Sequence, residues 1–104
     1  MSAINITQQS PGIFSVAGDL TFVSIDKKTV ESLAFLRSAD SVTIDLAQVT
    51  NTDSGGLALL IEWIKFARGN RVELKFRNIP EQLLTLAKLS GLETTEYFAA
   101  ALPE

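Results

Sequence analysis

The four residues Asp53-Ser54-Gly55-Gly56 are the stretch of this chain whose types and spacing could do chemistry. Asp53 suits a helix N-cap, because its carboxylate can accept from the orphan amides of a first turn. That cap puts the Ser54 hydroxyl at the positive end of a helix, on a loop that follows a strand. Two glycines beside it leave the backbone uncovered, so a partner or a phosphoryl group could approach closely. As an enzyme the stretch is poor. The chain has no histidine and no cysteine. The commonest general base and metal ligand is therefore missing, and so is any thiolate. No base other than Asp53 stands beside Ser54, and the pair is not a nucleophile with its base. Gly55-Gly56 lacks the G-x-x-x-x-G-K-[ST] spacing of a phosphate-cradling loop. Asp19, Asp26, Asp40, Asp45 and Asp53 are scattered along the chain and read as caps, turns or solvated faces. The expectation is no catalytic residue, no metal and no cofactor.

The elements that must hold this stretch come next. SVTIDL at residues 41–46 alternates Val42, Ile44 and Leu46 against Thr43 and Asp45, as a half-buried strand does. A short polar loop over residues 47–52 leads from it to Asp53. The helix that Asp53 opens runs to Arg68, with Gly69-Asn70 as its left-handed stop. Residues 71–76 alternate Val72, Leu74 and Phe76 against Glu73 and Lys75, so strand, helix and strand form a parallel crossover. Ahead of them, residues 3–7 and 13–17 make an antiparallel hairpin turned at Pro11-Gly12; Gly18-Asp19 ends its second strand. Thr21 can cap a helix over residues 22–37. Pro80 opens a helix over residues 80–90 that Gly91 stops, and residues 93–100 suit one more short helix. The fold class is α/β, a mixed sheet of four strands with helices mainly on one face.

Composition bounds the partners. The chain has 104 residues, enough for one domain with its own core, so 1–104 is read as a single domain. A formal charge of −3 argues against nucleic acid. No apolar run approaches the roughly 18 residues that would span a bilayer, and residues 1–10 do not resemble a secretory signal. The expectation is a cytoplasmic protein with no direct membrane insertion.

The central helix carries more apolar surface than one core face needs. Leu57, Leu60, Ile61 and Ile64 cluster on one side; Leu59, Trp63 and Phe66 cluster on an adjacent one. Either neighbouring helices cover the second stripe, or Leu59, Trp63 and Phe66 form a docking patch, a common role for large aromatics.

SVTIDLAQVTNTDSGGLALL, residues 41–60, resembles the signature of STAS domains, the family of anti-sigma factor antagonists and transporter-associated domains. That signature is an apolar strand ending in D-L, a short loop, then D-[ST]-[SG]-G-L opening a helix. Ala17-Gly18-Asp19-Leu20 resembles the family's earlier G-[DE]-L element. Within the family, DSGGLALL and LLTLAKLSGL (residues 83–92) look most like the STAS subunit of ABC transporters that move phospholipid between bacterial membranes. The resemblance implies a STAS fold and a protein that acts by binding. It implies contact with an ABC transporter ATPase through Thr52, Asp53, Ser54, Gly55 and Gly56, joined by Leu59, Trp63 and Phe66 if that stripe is exposed. It also implies a place at the inner membrane reached only through that partner. In the antagonists the serine matching Ser54 is phosphorylated, and the partner in that alternative is an anti-sigma factor kinase. Gly55 stands where antagonists usually carry a second serine, which favours the transporter role.

Overall fold

The structure, a computed structural model, describes residues 4–21, 36 and 39–91. The helices expected over residues 22–37 and 93–100 lie outside the described residues, apart from Leu36, which is fully buried. The rest is a four-stranded mixed sheet with two helices. Strand β1 (Asn5–Ser10) pairs antiparallel with β2 (Ile13–Leu20), β2 pairs parallel with β3 (Ser41–Thr52), and β3 pairs parallel with β4 (Glu73–Arg77). The spatial order is β1-β2-β3-β4. Helix α1 (Ser54–Gly69) connects β3 to β4, and α2 (Glu81–Leu89) follows β4.

Sequence alternation explains the register. Phe14, Ile44 and Phe76 lie side by side across β2, β3 and β4, with Val42 beside Leu74 one step back. All five are buried, because a period of two sends every second side chain to the same face. Helix α1 covers β3 and β4 on this face, and α2 packs on α1. The opposite face carries Thr43, Asp45, Glu73, Lys75 and Arg77, exposed or half-exposed. Among the described residues the helices therefore sit on one side, as expected. At the hairpin turn Gly12 has φ 77, and a Cβ there would meet the Ser41 carbonyl oxygen at 2.8 Å. Its own carbonyl accepts from Thr43 N at 2.7 Å, which docks the turn onto the start of β3.

Strand β1 lies at Asn5–Ser10 rather than over residues 3–7, β4 at Glu73–Arg77 rather than over 71–76, and larger differences lie at the ends of β3 and α1. Residues 47–52 are not a loop: β3 continues to Thr52, and β2 runs on to Leu20 beside it. Gln48, Val49, Asn51 and Thr52 pair with Ala17, Gly18, Asp19 and Leu20, with irregularities on either side of the Ala17–Gly18 pair. The polar residues mask the alternation, but Asp19 Oδ1 binds them, accepting from Thr50 Oγ1 at 2.7 Å and Asn51 Nδ2 at 3.0 Å. The end of α1 differs as well. Gly69 stays helical, Asn70 caps with φ −107, and Arg71 takes the left-handed conformation at φ 58. Asn70 Nδ2 donates to the Phe66 carbonyl at 2.9 Å, closing the last turn by a side chain. Helix α2 begins after Pro80, and Gly91 at φ 76 stands beyond its C-cap, Ser90, as expected.

Asp45 is more than a solvated face residue. Its side chain is only 13% exposed and is held from both sides. Oδ1 accepts from Ala47 N at 2.9 Å and Asn78 Nδ2 at 3.1 Å; Oδ2 accepts from Arg77 Nη2 at 3.0 Å and Nε at 3.3 Å. Burial pushes its pKa up, but the Ala47 amide, the Asn78 amide and the Arg77 guanidinium together outweigh it and hold the carboxyl below its ordinary value. Because the folded pKa is depressed, this stabilisation is present above the ordinary carboxylate range and is lost as pH falls through the folded value. Asp45→Asn is expected to lose about 1–2 kcal/mol at neutral pH, since a charge-assisted set is replaced by a neutral one that faces Arg77 with donors. Thermal unfolding at pH 7 and at pH 2–3 checks this: the gap between the two proteins should narrow in acid. A gap independent of pH would show that the charge contributes nothing.

Candidate functional site

The site is the corner where β3 becomes α1. Asp53 sits in extended backbone, φ −145 and ψ −165, and closes the helix start with every group it has on the main chain. Its N–H donates to the Leu20 carbonyl at 3.2 Å; its carbonyl accepts from Gly56 N at 3.0 Å and Leu57 N at 3.3 Å. Its Oδ1 accepts from Gly55 N at 2.8 Å. The carboxylate is thus the N-cap that the sequence predicts.

Ser54 is the first helical residue and is exposed. The two glycines after it do not leave the backbone open to a visitor, as the sequence suggested. Both are buried, and the close approach at Gly56 is internal. A Cβ on Gly56 would meet the Leu20 carbonyl oxygen at 2.5 Å, Leu20 Cβ at 3.0 Å and the Thr52 hydroxyl. Thr52 lies under the helix start at 6% exposure, and its Oγ1 finds no hydrogen-bond partner among the described residues. The corner is a tight shelf: two strand ends beneath, one helix start on top, and Ser54 on its outer lip.

The apolar stripe proposed for docking is not on the surface. Leu59 is 2% exposed and Trp63 is fully buried, while Phe66 is half-buried. The reason is that α1 is gripped on two sides, by the sheet and by α2, so its buried arc is wider than a surface helix needs. Trp63 and Ala67 belong to one cluster with Leu83 and Ala87 of α2. Of the predicted contact residues, Ser54 is exposed and Asp53 and Phe66 are partly so. Thr52, Gly55, Gly56, Leu59 and Trp63 are interior. Ile61 and Ile64, assigned from the sequence to the core face, are half-buried instead. The outward line from Ser54 follows three- and four-residue steps through Ala58, Ile61 and Lys65, and this is the surface that the sequence reading missed. The signal that could have found it is the same spacing counted from Ser54 rather than from the bulky residues.

Among the described residues no three acidic side chains come together where they could hold a metal ion. No described helix is long and apolar enough to cross a membrane.

Comparison with known proteins agrees with this architecture. A family model described as "Mlab, STAS domain" matches residues 3–102. The intermembrane phospholipid transport system binding protein MlaB of Escherichia coli (strain K12) is 45% identical over 51 residues, which are 47% of this chain and 50% of that protein. The Shigella flexneri protein of the same name gives the same values, so the chain spans about half the length of the curated relatives it matches. Among solved structures, an anti-sigma factor antagonist from Mycobacterium paratuberculosis superposes with a TM-score of 0.68 at 19% identity, covering 91% of this chain and 82% of that one. The unphosphorylated anti-sigma factor antagonist SpoIIAA gives a TM-score of 0.58 at 12% identity over 84% of this chain and 80% of that one. At these identities the two structures speak for the fold alone. The family match over nearly the whole length, the capped D-S-G-G corner and the mixed sheet converge: the chain belongs to the STAS domain family, in the group whose model is described as MlaB.

Proposed function

We propose that this chain, as a single STAS domain over residues 1–104, is the non-catalytic subunit of a bacterial ABC transporter that moves phospholipid between membranes. It docks on the ATPase subunit on the cytoplasmic side and supports that subunit's assembly or activity. The observation that carries this reading is the exposed Ser54 hydroxyl on the outer lip of a shelf whose Asp53 carboxylate caps the helix start and whose two glycines are buried. Such a corner presents a small neutral hydroxyl on a rigid edge, with Ala58, Ile61 and Lys65 extending the contact along α1. The relatives named for intermembrane phospholipid transport support the transporter reading. The alternative is a phospho-switched antagonist of an anti-sigma factor, a role carried by the two solved structures that share the fold. Against it, Gly55 stands where antagonists usually carry a second serine.

The test is affinity for the ATPase subunit of a phospholipid-transport ABC transporter from the same organism, with thermal midpoints measured in parallel. Ser54→Asp adds a charge that the helix N-terminus favours and the Asp53 carboxylate disfavours, so stability should change by about 0.5 kcal/mol or less. Binding should fall at least about tenfold, because the new anion is desolvated against a face fitted to a neutral group. Ala58→Glu should do the same, one helical turn further on. Ser54→Ala should matter less unless the hydroxyl donates across the interface. Unchanged affinity in both charged variants would remove this face from the interface. Binding to a kinase in place of the ATPase would select the antagonist reading.

A further inference from the structure

The sheet has two edges among its described strands, β1 and β4, and they are guarded differently. An exposed edge is a row of unpaired N–H and C=O groups that invites another strand, and charged side chains are the usual protection. Strand β4 reads Glu73-Leu74-Lys75-Phe76-Arg77, with a charge at every outward position. Strand β1 reads Asn5-Ile6-Thr7-Gln8-Gln9-Ser10, with no charge and no proline. Asn5, Thr7, Gln8, Gln9 and Ser10 are exposed and Ile6 is half-buried, and no described residue lies over this strand. Among the described strands only β2 pairs with it. Its one irregularity, between Gln8 and Ser10, lies at the far end, where Gln8 Nε2 also reaches the Ser10 carbonyl at 3.4 Å. The stretch Asn5–Gln8 is regular and paired residue by residue with β2.

We infer that the β1 edge is a self-association surface, and that its occupant is β1 of a second copy of this chain, paired antiparallel about a two-fold axis. Three features favour a second copy over a foreign strand. The neutral edge is compatible with itself, because no like charges meet across the axis. Pairing regular stretches from both copies keeps Ile6 opposite Ile6 or Gln8 of the second copy and all helices on one side, so the exposed part of Ile6 is covered. The arrangement also closes: each copy uses its β1 edge once, giving an eight-stranded sheet whose outer edges are the two charged β4 strands. A single pairing of six-residue strands buries less than the roughly 1,200 Å² of a standard interface, so the dimer is weak and concentration-dependent. This surface is independent of the Ser54 corner, and Ser54→Asp should leave it unchanged.

Sedimentation equilibrium on the full chain tests the inference. The average mass should rise from monomer toward dimer over roughly 10 µM to 1 mM. Thr7→Lys places a lysine directly opposite or diagonal to its copy at about 4.5–8 Å, and should hold the protein monomeric with its thermal midpoint unchanged. The chain has no cysteine, so a single introduced one reports proximity without background. Thr7→Cys or Ile6→Cys should crosslink under oxidation, according to which register is used, while Lys75→Cys on the other edge should not. A monomer at every concentration overturns the inference, as does a dimer that Thr7→Lys leaves intact or a crosslink through Lys75→Cys. A monomer whose β1 amides become protected from exchange only when another protein is added would give the edge to a foreign strand, and also overturns it.

Discussion

Trp63→Glu is expected to abolish folding, and Trp63→Ala to cost about 3–5 kcal/mol. Trp63 is fully buried, in a cluster with Leu60, Ala67, Leu83 and Ala87. A domain of this size has about 5–15 kcal/mol in total, so the alanine variant alone could use half of it. Glutamate adds a second penalty, a carboxylate placed where nothing can solvate it. Trp63 is the single tryptophan, so the native protein reports on the same point without mutation. Its emission should be blue-shifted and protected from acrylamide, and should move to the red as the protein unfolds. An emission maximum typical of water-exposed indole, together with a Trp63→Glu variant of native far-UV circular dichroism, would put the indole on the surface and restore the aromatic docking patch.

What could be read from the sequence, and what could not, follows from the range of the physics involved. The strands around Ile44 and Leu74 alternate cleanly, because each has one face in the core and one outside, and a period of two survives in the sequence. The Asp53 cap was equally legible, since it is settled within three residues. The second half of β3 was not. Its strand character comes from β2, some thirty residues earlier, through Asp19 and its bonds to Thr50 and Asn51. The side chains of residues 47–52 alone look like a loop. The Trp63 stripe was left open between core and docking patch for a related reason. Periodicity shows that a face is apolar, not what lies against it, and here α2 and the sheet both claim α1. Asp45 was misjudged because its partners Arg77 and Asn78 come from the far side of the crossover. The fold class was thus local information and the site partly so. Which glycine is a door and which is a hinge pin depended on packing.

Gly56 and Gly69 sit in the same helix, and replacing each by alanine should move stability in opposite directions. Gly69 is helical, with φ in the ordinary region and nothing within 4 Å of where a Cβ would stand. Alanine there adds no contact and removes freedom from the unfolded chain, so Gly69→Ala should stabilise by about 0.4–1 kcal/mol. Gly56 would gain the same entropy, but its Cβ has no room. The atom would fall 2.5 Å from the Leu20 carbonyl oxygen, 3.0 Å from Leu20 Cβ and against the Thr52 hydroxyl. The Leu20 carbonyl is backbone, fixed by the Asp53 amide that it accepts from, so it cannot rotate aside as a flexible side chain would. Relief requires the first turn of α1 to lift off the ends of β2 and β3. Overpacking of this kind typically costs about 1–3 kcal/mol, and a clash against main chain falls at the upper end. For a domain of this length, 2–3 kcal/mol lowers the midpoint by roughly 10–20 °C. The lift also carries Ser54 with it, so Gly56→Ala should weaken partner binding even below its melting temperature, which a pure stability defect would not do. Thermal midpoints for both variants, with affinity measured on the folded fraction, check the pair. Equal effects at the two positions would mean that the strand ends yield, and that Gly56 is there for its flexibility alone.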